Sequence, residues 1–142
     1  MKRQSKPPIN PITKLFLLDM QGRIDALEPL FKERKDRVFA ITSYNQEGIS
    51  RTPIDHTNFS SSLPRGFDVY MLHVPLTTEE AIFDLMQHEP LANIWLNTAM
   101  DPLRLKREVR EGASGYYSAA QPEYQVDKVI RVLAGGRMQK QT

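Results

Sequence analysis

The side chains of this chain that could carry chemistry stand where apolar runs end. Asp19, His73 and Thr98 lie at or near the carboxyl ends of three such runs, residues 14–20, 67–74 and 92–99. The carboxyl ends of parallel strands meet at one edge of a sheet, where ligands bind in open α/β folds. The carboxylate, the imidazole and the hydroxyl at that edge are therefore the candidate site residues.

Several other kinds of chemistry are excluded. The chain has no cysteine, so disulfides, thiol catalysis and cysteine-ligated zinc are ruled out. It contains no P-loop, no G-x-G-x-x-G and no G-x-S-x-G motif. We expect no bound metal or cofactor, and we expect that the chain is not an enzyme.

Strand and helix patterns alternate along the chain. The predicted strands are residues 14–20, 38–42, 67–74, 92–99 and 115–120. Alternation of this kind predicts an α/β fold with a five-stranded parallel sheet and helices on both faces. Residues 43–66 show no clear periodicity, so we interpret them as a flexible loop that holds, at most, one doubtful helix.

Local signals mark the helix ends. Thr77 and Glu80 fit a capping box at the start of the third helix. Asp101 and Pro102 predict the start of the next helix, which carries Leu105 and Val109 and ends at Gly112 in a left-handed cap.

Length and charge indicate a single domain. The chain has 142 residues, of which 40% are apolar and 25% charged. Four of its 19 Lys and Arg residues lie within the first fourteen positions, which hold no acid. The rest of the chain has 15 basic and 17 acidic residues, so the folded body is slightly acidic. This is not the pattern of a nucleic-acid-binding domain. No apolar run is long enough to span a membrane, and we expect a cytoplasmic protein.

Residues 1–13 are predicted to form a disordered basic tail, with a weak electrostatic arm as the alternative. The folded domain is expected to cover residues 14–138. Residues 139–142 would begin a linker.

The last third of the sequence resembles the receiver domains of LuxR/NarL-type bacterial response regulators. The resemblance rests on the motif GASGY at 112–116, the Pro-Glu pair at 122–123 and the close IRVLAGG at 130–136. It implies a flavodoxin-like (βα)5 receiver fold. In that family an aspartate at the end of the third strand accepts a phosphoryl group, assisted by Mg²⁺, a hydroxyl and a lysine.

Carried over by position, the resemblance implies a degenerate phosphoacceptor pocket. Asp19 and Thr98 keep the family's residue types, and Tyr116 stands at its switch aromatic. Three positions depart from the family: Met20 replaces the second acid, His73 the phosphorylated aspartate and Ala119 the lysine. We expect that His73 instead hydrogen-bonds Asp19 and that the pocket takes no phosphate.

The resemblance implies a phosphorylation-independent receiver that regulates a LuxR-type transcription factor through dimerisation or ligand binding. The expected homodimer face comprises Arg104, Arg107, Arg110, Tyr117 and Lys128. DNA would be bound only by a helix-turn-helix domain that is not in this chain. A small molecule such as a cyclic dinucleotide stays open as a ligand, although residues 137–140 do not match the family's motif for it.

Two alternatives stay open. The chain could be a stand-alone receiver that acts on a partner protein. It could also be a small nucleotide-binding flavodoxin-like protein, for which residues 20–23 (MQGR) would supply the phosphate loop.

Overall fold

The computed structural model describes residues 12–47, 59–118 and 120–135, and it contains one parallel sheet of five strands in the order β2-β1-β3-β4-β5. The strands are β1 Ile12–Leu18, β2 Val38–Tyr44, β3 Val69–His73, β4 Asn93–Asn97 and β5 Gly115–Tyr116. This order is that of flavodoxin-like folds. The predicted fold class is confirmed.

Within these described residues, four α-helices connect and cover the strands. They are α1 Gln21–Lys32, α2 Glu79–His88, α3 Arg107–Gly112 and α4 Pro122–Gly135, with short 3₁₀ turns at Val74–Leu76 and Pro102–Arg104. Helices α1 and α4 pack on one face of the sheet, and α2 and α3 pack on the other. None of the described helices is long and apolar enough to cross a membrane.

The central strand β1 divides its side chains between the two faces. Leu15 and Leu17 pack with α1 and α4, whereas Phe16 and Leu18 pack on the α2/α3 side. All four are fully buried. This alternation follows from the two-residue period of a strand, and burial on both faces makes the run continuously apolar.

Strand β1 begins earlier than predicted. It starts at Ile12, whose register partner is Val38 at the start of β2. Ile12 and Thr13 therefore belong to the sheet, although we placed them in the tail, because backbone pairing with β2 does not require an apolar side chain at each position. Residues 1–11 lie outside the described residues, as do 136–142.

The predicted helix after β4 is divided. Asp101 caps its start as expected, since its carboxylate accepts a hydrogen bond from the Leu103 amide at 3.0 Å. The chain then becomes extended at Leu105, and α3 begins only at Arg107. The interruption places both Leu105 and Val109 in the core on the α2/α3 face.

Part of the predicted flexible loop is anchored in the core. Phe59 is buried, and its ring centroid lies 5.6 Å from that of Phe16. The Thr77 hydroxyl donates to the Phe59 carbonyl at 2.5 Å, so it is not the helix cap that we predicted. Thr78 caps α2 instead, accepting from the Ala81 amide at 3.0 Å. Residues 48–58 of the predicted loop lie outside the described residues.

Gly112 does not form the left-handed cap that we predicted. It is the last residue of α3, and Ala113 follows with φ −73°, so no left-handed cap forms there. A Cβ at Gly112 would lie 2.4 Å from Met86 Sδ. Close packing of α3 on α2 explains this glycine.

The same constraint is stronger at Gly115, which faces a rigid ring. A Cβ there would lie 2.4 Å from Trp95 Cζ3, and Trp95 is one of the largest fully buried side chains. We expect Gly115→Ala to lower the free energy of unfolding by about 1–3 kcal/mol, because overpacking forces the strands apart. Urea denaturation measures this loss.

Gly22→Ala is the matched control, since nothing lies within 4 Å of a Cβ at that helical position. It should raise the free energy of unfolding by about 0.5–1 kcal/mol through the entropy of the unfolded chain. Equal effects of the two substitutions would contradict the packing explanation.

Candidate functional site

Asp19 is completely buried where β1 ends, and three donors meet its carboxylate. Arg23 Nε donates to Oδ1 at 2.7 Å, and the Met20 amide donates to the same oxygen at 2.7 Å. The Tyr117 hydroxyl donates to Oδ2 at 2.6 Å. A buried carboxylate is costly unless it is paired and hydrogen-bonded, and these contacts meet both conditions.

Two elements bring these partners to Asp19. Helix α1 begins at Gln21, so its first turn returns Arg23, four residues after Asp19, to the end of β1. Tyr117 directly follows β5, and its amide donates to the Leu96 carbonyl at 3.0 Å. We name the contacts between Asp19, Arg23 and Tyr117 the aspartate cluster.

The Tyr117 hydroxyl is a fixed donor. Burial raises the pKa of Tyr117 well above 10, and the negative charge of Asp19 and the hydrogen bond to it raise this pKa further. The hydroxyl therefore keeps its proton throughout the physiological range and remains available to the carboxylate.

His73 does not form the predicted hydrogen bond with Asp19. Its Nδ1 is 3.8 Å from Asp19 Oδ1, which is beyond hydrogen-bonding distance. Nδ1 lies instead 2.9 Å from Oδ1 of Asn97, its register partner on the neighbouring strand β4. The side-chain amide of Asn97 is thus the hydrogen-bond partner of His73, where we had predicted the carboxylate of Asp19.

The surrounding contacts select one tautomer of His73. Asn97 Nδ2 donates to the Tyr117 carbonyl at 3.0 Å, which leaves Oδ1 as the atom facing His73. In the neutral ring Nδ1 then carries the proton and Nε2 is an acceptor. Arg23 Nη2 lies 3.5 Å from that Nε2. Both ring nitrogens thus have partners within the protein.

The remaining predicted pocket residues lie apart from this network. Met20 places its side chain at the surface. The Thr98 hydroxyl exchanges hydrogen bonds with the backbone of Met100, which closes a local turn. Ala119 lies outside the described residues. Tyr116 is half-buried against the α2/α3 face, and burial raises the pKa of its hydroxyl.

The predicted dimer face requires one correction. Tyr117 is only 5% exposed and its hydroxyl is bound to Asp19, so it is not a surface residue. Arg104 and Arg107 are exposed, as predicted for such a face. Arg110 and Lys128 are half-buried, and each donates to a backbone carbonyl, at Leu105 and Tyr116 respectively.

The donor set at this edge does not fit the Mg²⁺ that the resemblance implies. Magnesium needs oxygen ligands, but Arg23 and Tyr117 already hold the Asp19 oxygens, and Met20 and His73 offer no side-chain oxygen. The part of the chain that the structure describes holds no group of three or more His, Cys, Asp or Glu side chains able to bind a metal.

The structure also weakens the nucleotide-binding alternative. Residues 21–23 of its expected phosphate loop lie within α1, and the Gln21 side chain donates to Asp25 at 2.7 Å. The Arg23 guanidinium, which would have met phosphate, is paired with Asp19.

The sequence analysis assigned Arg23 to the alternative phosphate loop and Tyr117 to the dimer face, and it did not single out Asn97. One signal was available for Arg23, because an arginine four residues after a strand-ending acid falls one helical turn away. No local signal indicates Tyr117 or Asn97, since their contacts depend on the order of strands in the sheet.

The solved structures that superpose on this chain include response-regulator receiver domains. A response regulator from Thermotoga maritima superposes with a TM-score of 0.60 at 14% identity, over 87% of this chain and 99% of that one. The BeF3-activated receiver domain of DrrB, from the same organism, gives a TM-score of 0.59 at 17% identity, over 87% and 99% of the two chains.

A LuxR-family DNA-binding response regulator from Silicibacter pomeroyi gives a TM-score of 0.54 at 19% identity, over 87% of this chain and 93% of that one. No family model and no curated protein matches the sequence. At these identities the comparisons establish a receiver-type fold.

The aspartate cluster predicts that loss of the Tyr117 hydroxyl lowers the stability of the protein. Tyr117→Phe keeps the ring but removes a donor from a buried carboxylate. It should lower the free energy of unfolding by about 1–3 kcal/mol. Thermal or urea denaturation at neutral pH measures the loss.

Tyr124→Phe is the control, since Tyr124 is 52% exposed. Its effect should stay within about 0.5 kcal/mol. A similar loss in both variants would show that the Tyr117 hydroxyl does not stabilise Asp19.

Proposed function

We propose that this chain is a receiver-type regulatory module of a LuxR-type transcription regulator that works without aspartyl phosphate and transmits its signal by self-association. The observation that carries the proposal is the aspartate cluster, in which a side chain of the protein supplies the positive charge beside Asp19. The receiver-type fold supports the wider class.

The first argument concerns charge. Phosphoryl transfer to a carboxylate needs a divalent cation to offset the charge of the incoming group. To bind one at Asp19, the protein would have to release Arg23 and Tyr117 from a fully buried carboxylate. Separating a buried ion pair costs about 3–5 kcal/mol, and Met20 would return none of it because a thioether is a poor magnesium ligand.

The second argument concerns the acceptor. His73 stands where the resemblance places the phosphorylated aspartate, but its two ring nitrogens face Asn97 and Arg23. An imidazole that attacks phosphorus must present a free lone pair. His73 is therefore proposed as a structural link between β3, β4 and α1.

The third argument concerns association. Helix α3 carries Arg107, Glu108, Arg110 and Glu111, and Arg107 pairs with Glu111 within the helix at 2.9 Å. Two copies related by a twofold axis can exchange such pairs between chains. Arg104 lies just before this helix and is exposed. We propose that the dimer contact comprises α3 and Arg104, with Lys128 of α4 as a further member.

Phosphoryl transfer is tested directly by incubation with acetyl phosphate and Mg²⁺, followed by intact-mass measurement. We expect no phosphoryl adduct on the native chain, because the cation site is taken by Arg23. A Met20→Asp/Arg23→Ala/His73→Asp/Ala119→Lys variant, with the family's residues restored and the arginine removed, is the positive control.

A Mg²⁺-dependent adduct on the native chain would contradict the proposal. If that adduct were lost in His73→Asn, the acceptor would be His73 itself. If it persisted, the acceptor would be another residue.

Self-association is tested by sedimentation across a concentration series. We expect a dimer whose dissociation constant rises roughly tenfold or more in Arg104→Glu/Arg107→Glu, since like charges would then meet across the axis. Lys35→Glu, at an exposed position outside α3 and α4, is the control and should leave the dissociation constant unchanged. A native chain that stays monomeric throughout would contradict the association proposal and leave the phosphoryl result unaffected.

A further inference from the structure

A cavity lies among the amino ends of the strands, at the edge of the sheet opposite to the aspartate cluster. It has a volume of about 400 Å³, within the range of ligand sites. Its lining combines apolar side chains with two carboxylates: Ile12, Phe67, Leu91, Leu133, Asp68 and Glu89. The function proposed above uses the other edge of the sheet and gives this cavity no role.

We propose that the cavity binds the amino-terminal segment of the same chain, residues 1–11. Its prolines and Ile9 would cover the apolar lining, and its basic side chains would face Asp68 and Glu89. The cavity would thus be an intramolecular docking site for a basic, proline-containing peptide.

The charges of the cavity favour a cationic occupant. The lining carries Asp68, Glu89 and one cation, Arg37, which donates to the Thr13 hydroxyl at 3.0 Å. Within the described ranges, neither carboxylate lies within ion-pairing distance of a cation. The segment holds Lys2, Arg3 and Lys6 and no acid.

The two carboxylates are held in place by backbone groups. Asp68 Oδ2 accepts from the Lys14 amide at 2.8 Å, and Glu89 Oε2 accepts from the Gly66 amide at 2.8 Å. Each bond uses one oxygen, so the other oxygen of each carboxylate can accept from a lysine or arginine. Preorganised acceptors reduce the entropy lost on docking.

The apolar part of the cavity lacks a cover among the described residues. Leu91 is 83% exposed and Ile12 61% exposed, although both are large aliphatic side chains. Ile9 lies three positions before Ile12, so its Cα stays within about 10 Å of that cavity-lining residue. Pro7, Pro8 and Pro11 each have a fixed φ, so the segment has less conformational entropy to lose on binding.

The chain has no cysteine, so engineered pairs report proximity without background. The test compares Ile9→Cys/Leu91→Cys with Ile9→Cys/Val38→Cys under a mild disulfide oxidant. Val38 is the matched control because it is exposed, pairs in register with Ile12 and lies outside the cavity lining. A freely moving segment would reach both positions.

We expect the intrachain disulfide to Leu91→Cys to form roughly tenfold faster than that to Val38→Cys, because docking raises the effective concentration on one side. Adding Asp68→Asn and Glu89→Gln, which keep a side-chain oxygen to accept from the Lys14 and Gly66 amides, should bring the two rates together. High salt should do the same.

Equal rates in the native charge background would overturn the proposal. Predominant disulfides between chains would also overturn it, since the occupant would then be a second copy. Circular dichroism of each reduced variant confirms that the compared proteins are folded. None of these outcomes depends on phosphoryl transfer or on the α3 contact, so this proposal and the proposed function can fail separately.

Discussion

A carboxylate that is removed completely from water must be neutralised, and this requirement organises the carboxyl edge of the sheet. Asp19 meets it with Arg23, Tyr117 and the Met20 amide. Each partner comes from a different part of the local architecture: the first turn of α1, the residue after β5 and the turn after β1. The same guanidinium reaches His73, which is joined through Asn97 to the Tyr117 carbonyl. One buried charge therefore ties β1, β3, β4, β5 and α1 together.

A cation that belongs to the chain differs in kind from a cation that is exchanged with solvent. Arg23 is present at a fixed ratio to Asp19 and cannot be removed by dilution or chelation. A site built around Arg23 needs no metal ion from solvent, whereas a site that accepts a phosphoryl group gains about 1.5 to 2 negative charges. We propose accordingly that the module carries its signal in contacts with other chains, for which the mixed charges of α3 would provide a surface.

Much of the fold could be predicted from the sequence because burial on both faces leaves continuous apolar runs, as around Leu15 and Tyr70. The helix boundaries were harder to predict. Thr78 caps α2 where Thr77 fitted the capping box, because Thr77 is used by the Phe59 carbonyl. The site was partly visible in Asp19 and His73, which end neighbouring strands. Their partners Tyr117 and Asn97 could not be inferred, since a hydrogen bond between residues 19 and 117 depends on sheet order and on the inward direction of one phenol.

The contact between Trp95 and Gly115 places an intrinsic fluorophore at the junction of β4 and β5. Trp95 is the only tryptophan of the chain, and its ring lies against the junction of β4 and β5. The residues that follow this junction include Tyr117 of the aspartate cluster. Intrinsic fluorescence therefore reports on one place in the molecule rather than on an average. A spectroscopist can follow rearrangement of the β4–β5 junction in the unlabelled protein, in real time and at low concentration.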